Sequence, residues 1–231
     1  IDRVFNYQRF NEMWDYSLTN VLYYTPRMPH AIVRWVPPGC SSQLDVGVQL
    51  NAQHRDEGHV GFIGTWSRRW VEERRLYNES GMVQLGGNDT DQNIRTASEW
   101  RAYLEQYPLQ LNMHSHFNSM GSFEALRAAM LLVNKACLLS APSNDSDVEY
   151  WQDMVHFLEP AALTAKLLSL RYDSAAIQEC QERSQQLFCA KFVPDEILRK
   201  SGFPDFLKTV LRRSHAGRTL QMRLPKPLKH T

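Results

Sequence analysis

The four cysteines, Cys40, Cys137, Cys180 and Cys189, include no C-x-x-C pair and no zinc-ligand spacing, so no zinc module can be read from them. A glycine-rich phosphate loop is missing, and so is the G-x-S-x-G of a hydrolase nucleophile. Internal repeats and low-complexity tracts are absent as well, which removes solenoid and disordered-linker readings. No apolar run reaches the roughly eighteen residues of a membrane span, and the start lacks the basic, apolar, small-residue order of a signal peptide. The first residue is Ile1, so the expectation is a processed chain or a piece of a longer one, with the loss of a targeting segment left open.

What is present is an ordinary globular composition, 43% hydrophobic and 22% charged over 231 residues. Scattered cysteines of this kind are expected as buried thiols in a reducing, intracellular compartment, or in a virion if the chain coats one. Three N-x-S/T sequons, at Asn78, Asn88 and Asn144, point faintly the other way, toward secretion. Charge is uneven. Residues 191–231 carry ten Lys or Arg against three acids, while the whole chain is only +1.

The stretch Ser122–Ser140 has apolar residues at helical spacing on most of its circumference and predicts one long buried helix, about 28 Å at 1.5 Å per residue, with the rest of the chain packed around it. A first amphipathic helix is expected over about 6–24 from Phe10, Met13, Trp14, Leu18, Val21 and Leu22. Short Val/Ile/Trp-rich segments at Ala31–Val36, Leu44–Leu50, His59–Trp66 and Met82–Leu85, separated by turn residues, predict an antiparallel meander. Gly47, Gly61 and Gly64 within it suggest bulges or close backbone approach. A charged helix at 67–75, a helix at Ala97–Gln106 capped by Thr96, and a possible strand through Leu109, Leu111 and Met113 follow. After the central helix come predicted helices over 145–158, 161–170 with Pro160 in the first turn, 174–192, 194–200 and 204–213. The expectation is therefore an α+β, predominantly helical single domain over 1–231, a small antiparallel sheet (about 30–85) against a helical layer (97–215), ending in a basic extended arm (216–231).

Candidate chemistry is sparse. A calcium loop at Asp89, Asp91 and Asn93 fails because its sixth position is Ile94 and its twelfth Trp100. Asp145, Asp147 and Glu149 read as acids at a helix start. His114 and His116, two apart on a strand, would share a face and could hold one metal, with His54, His59, His156, Asp89 or Asp91 as a third ligand. The basic residues Lys208, Arg212, Arg213, Arg218, Arg223, Lys226 and Lys229 are candidates for contact with nucleic acid or a neighbouring subunit. Phe10, Trp14 and Tyr23 are candidates for oligomer contacts. The leading expectation is a non-enzymatic assembly protein, a coat or nucleoprotein-like shell subunit forming homo-oligomers, with no cofactor and no membrane partner. The alternatives are a monomeric nucleic-acid-binding or adaptor domain, and a metal-dependent hydrolase using His114 and His116.

Overall fold

The computed structural model describes residues 12–50, 58–64, 83–86, 94–114, 121–205 and 208. Its centre is a five-stranded sheet built from β3 (Val60–Ile63), β4 (Val83–Gly86), β5 (Leu109–Asn112), β6 (Cys137–Ser140) and β7 (His156–Phe157), in the order β4-β3-β5-β6-β7. Every pairing in it is parallel. A second, two-stranded sheet pairs β1 (Glu12–Asp15) with β2 (Ile32–Trp35), again parallel, with helix α1 (Leu18–Tyr24) in the connection. The expected antiparallel α+β arrangement is therefore corrected to α/β. Parallel neighbours need crossover connections long enough to hold a helix, and α1, α3 (Ala125–Val133) and α4 (Asp145–Trp151) supply them after β1, β5 and β6.

Helices cover both faces of the main sheet. On one face Val60, Phe62, Leu109, Leu111, Cys137 and Leu139 pack against Leu163 and Leu167 of α5 (Pro160–Leu170) and Ile177 of α6 (Ser174–Lys191). On the other, Leu138 packs with Leu131 and Leu132 of α3, Leu104 of α2 (Ala97–Gln106), Trp151 of α4 and Phe188 of α6. Alternate residues of one strand thus enter opposite layers, as the two-residue period requires. Gly61 faces Gln110 and Tyr103 across this packing: a Cβ there would lie 2.1 Å from the Gln110 amide nitrogen and 2.8 Å from the Tyr103 hydroxyl. What comes close to Gly61 is side chain, where a bulge or an approach of backbone was expected.

The predicted central helix is two elements. Helix α3 ends at Val133, Lys135 takes a left-handed conformation (φ 57°), and β6 begins at Cys137. An apolar run suits a buried parallel strand as well as a buried helix, so periodicity could not divide it. The buried Asn134 marks the break. Its amide donates to the Leu44 and Met130 carbonyls, and its carbonyl accepts from Val46 N–H. Those bonds also hold residues 44–48 outside any strand, where a strand over Leu44–Leu50 was expected.

The first helix is likewise shorter than its pattern. Residues 12–15 are β1, and α1 starts after Ser17, whose hydroxyl accepts from Asn20 N–H. The predicted 145–158 helix stops at Trp151, leaving room for β7. The helix at 97–106, the Pro160 start, α6 and the helix α7 (Pro194–Lys200) agree with expectation. Thr96 and Glu99 form a reciprocal capping box on α2.

All four cysteines are paired, Cys40 with Cys189 and Cys137 with Cys180. The expectation of reduced thiols is corrected accordingly. Spacing along the chain carries no information on such pairing, which joins residues 149 and 43 positions apart.

Candidate functional site

In an open parallel sheet, ligands bind outside the carboxyl ends of the strands where the chain order reverses direction. Here that place lies between β3 and β5: from β3 the chain adds β4 on one side, then crosses back to add β5, β6 and β7 on the other. The residues that finish β5 and β6 are polar although both strands are buried, and the register sets Asn112 beside Ser140.

These two begin a connected cluster. Asn112 Nδ2 donates to Ser140 Oγ at 2.9 Å and to Glu124 Oε2 at 3.2 Å. Its Oδ1 accepts from the Arg127 guanidinium at 2.9 Å. His114 Nδ1 lies 2.8 Å from Glu124 Oε2, and its Nε2 lies 2.6 Å from the Pro142 carbonyl. Both ring nitrogens therefore face oxygen acceptors, an arrangement fully satisfied only when both carry protons. Arg127 also sits 5.6 Å from the centroid of the Phe62 ring, so its charge lies between the ends of β3 and β5.

Burial of the Glu124 carboxyl would raise it, but the hydrogen bond and charge of His114, with Arg127 and Asn112, outweigh that and hold it below the usual carboxylate range. Burial lowers the Arg127 guanidinium, with Glu124 opposing. Burial, then the Asp15 and Glu124 charges, push the nearby Tyr16 phenol up. A carboxyl held low binds fewer protons folded than unfolded, so its stabilisation is complete above about pH 4.3 and is lost as pH falls through its folded value. Urea unfolding of the native chain and Glu124→Gln at pH 7, 5 and 3 is expected to show the native chain's advantage shrinking toward acid. A gap that does not narrow between pH 5 and 3 would contradict the pairing.

The sequence singled out His114 but not Asn112, Glu124, Arg127 or Ser140. His116, its supposed partner, lies outside the described residues. As placed, His114 turns neither ring nitrogen toward a cation. Among the described residues, Cys137, His156 and Cys180 do bring ligand-type atoms within 4.8 Å of one another, but the two sulfurs are bonded together. Lys208 is exposed and pairs with Asp205 at 3.3 Å, whereas Arg212, Arg213, Arg218, Arg223, Lys226 and Lys229 lie outside the described residues, as does Phe10. Trp14 packs edge-on against Phe203 at 5.4 Å, and Tyr23 lies under the Arg27 guanidinium at 3.7 Å. Both oligomer candidates thus have partners within the chain. Among the described residues no helix is long and apolar enough to cross a membrane.

No family model and no curated protein matches this chain. Its fold does have solved counterparts. Sucrose-phosphate synthase from Thermosynechococcus elongatus superposes with a TM-score of 0.56 at 13% identity, over 88% of this chain and 59% of that one. The likeness is one of fold. This chain covers less than two thirds of that structure's length.

Proposed function

We propose that the chain is the nucleotide-binding part of a glycosyltransferase, taking a nucleoside-diphosphate sugar at the crevice between β3 and β5. The observation that carries this reading is Arg127, a cation set at the reversal point of a doubly wound sheet with one hydrogen bond, to Asn112, among the described residues. A diphosphate leaving group gathers negative charge as the glycosidic bond breaks, and a fixed guanidinium there stabilises it. Glu124 holds the His114 ring in place at 2.8 Å. Among the described residues the side-chain bonds to the Glu124 carboxylate fall on Oε2, and Oε1 is the oxygen we assign to a sugar hydroxyl. The likeness in fold to sucrose-phosphate synthase supports the class of reaction by analogy alone.

Calorimetry with UDP and GDP tests it. One of them is expected to bind with a Kd below about 1 mM, and Arg127→Gln to weaken that binding by roughly tenfold or more. Absence of binding by both diphosphates, or an Arg127→Gln variant that folds and binds as well as the native chain, would remove the reading. The assembly expectation draws on the absent catalytic motifs, the aromatic first helix, the helical array and the basic arm, most of which lies outside the described residues, and native mass by light scattering tests it separately.

A further inference from the structure

A cavity of about 490 Å³ lies between β2, α4, the end of α6 and α7. That is the size of a small-ligand site. Its wall is apolar, made by Val33, Trp35, Pro37, Tyr150, Phe192 and Ile197. The Trp35 and Tyr150 rings meet at 60° with centroids 4.3 Å apart. The indole N–H of Trp35 is already given to the Tyr16 carbonyl, so what the tryptophan has left to offer a ligand is ring surface.

The polar lining side chains are Arg34, Lys191, Lys200 and Ser201. No carboxylate or carboxamide lines the cavity among the described residues, so its side chains are rich in donors and poor in acceptors. A neutral, hydroxyl-rich molecule would find few acceptors here, and a nucleobase would find no amide edge to read. Each cation has an acid nearby: Arg34 pairs with Glu12, Lys191 lies 3.8 Å from Asp153 and also donates to the Tyr150 carbonyl, and Lys200 lies 3.2 Å from Glu196. The Lys200 pair is solvent-exposed on both sides, a kind that contributes little, so an incoming anion displaces little.

We infer that this cavity binds a small amphipathic anion, an apolar ring carrying a phosphate, sulfate or carboxylate, with the ring against Trp35 and Tyr150 and the anionic group at Lys200 and Lys191. The inference is independent of the nucleotide reading, since it uses none of the residues at the β3–β5 crevice.

The probe is 1-naphthyl phosphate, titrated calorimetrically into the full chain, with 1-naphthol and inorganic phosphate as its two halves. The whole molecule is expected to bind at least about tenfold more tightly than either half. Lys200→Glu, at an exposed position that does not threaten folding, is expected to weaken it roughly fivefold or more while leaving 1-naphthol unchanged. Ile197→Trp, which fills the cavity, is expected to abolish binding of both, and Arg127→Gln to leave both intact. Equal affinity for 1-naphthol, a Lys200→Glu variant that binds like the native chain, or a loss of binding in Arg127→Gln would each overturn the assignment. The last outcome would place the anion in the crevice instead.

Discussion

Asp147→Ala is expected to lower the unfolding free energy by about 4 kcal/mol, a large part of the roughly 5–15 kcal/mol that holds a domain of ordinary stability. Asp147 is 2% exposed. Its carboxylate accepts from Leu18 N–H at 3.0 Å, Thr19 N–H at 3.4 Å, Ser17 Oγ at 3.1 Å and Phe123 N–H at 3.0 Å. The first two are orphan donors of the α1 N-terminus, and the last belongs to the loop that leads into α3. One side chain of α4 therefore fixes the start of a helix in the small-sheet unit and the approach to the polar cluster. Alanine would leave the buried donors of Ser17 and Phe123 unpaired, each at about 1–3 kcal/mol, and remove the cap from the half-buried Leu18 and Thr19 N–H groups. Asp147→Asn keeps the shape but turns an amide N–H₂ toward N–H groups, and an intermediate loss is expected. Urea midpoints of the three proteins, at constant slope, give the comparison. A loss below about 1 kcal/mol for Asp147→Ala would mean that solvent replaces the carboxylate easily.

The same residue shows where sequence reasoning reached its limit. Acids at 145 and 147 announce a helix start, and a helix does begin there, but Asp147 serves the terminus of a different helix 130 residues away from Ser17 in sequence. Local signals read well. Thr96 with Glu99, Pro160, and the long polar-faced α6 each declare a boundary through groups within one turn of it. Pairing did not read, because whether β3 and β5 run parallel is decided by what fills the connection and by which faces are covered, not by alternation within either strand. Cys137–Ser140 is buried on both sides and so has no alternation to show. The site was half legible for the same reason. His114 was noticed beside His116, yet its real partners are Glu124 from the next helix and Pro142 after the neighbouring strand. A sharper signal was available: LQLN and CLLS are buried strands that each end on a polar residue, and in a parallel sheet those ends share one edge.

The second large effect is expected from the disulfide between Cys40, in the segment after β2, and Cys189, in the last turn of α6. Cys40→Ala with Cys189→Ala is expected to cost about 5 kcal/mol, because the bridge closes a loop of 149 residues and denies the unfolded chain that freedom. The corresponding figure for Cys137 and Cys180, 43 apart, is about 4 kcal/mol. The first loss should be felt at a definite place. Cys40 N–H donates to the Phe192 carbonyl at 2.8 Å, and a Cβ on Gly39 would meet Pro194 at 3.0 Å, so the bridge clamps the exit of β2 against the start of α7. That clamp forms one side of the cavity lined by Pro37, Phe192 and Ile197. Loosening it should therefore weaken 1-naphthyl phosphate binding before it disturbs the β3–β5 crevice, where no cysteine sits. The prior check is a thiol titration of the denatured, unreduced protein, for which no free thiol is expected. Finding four would show that neither bridge forms, and the chain would then owe its stability to the packed sheet alone.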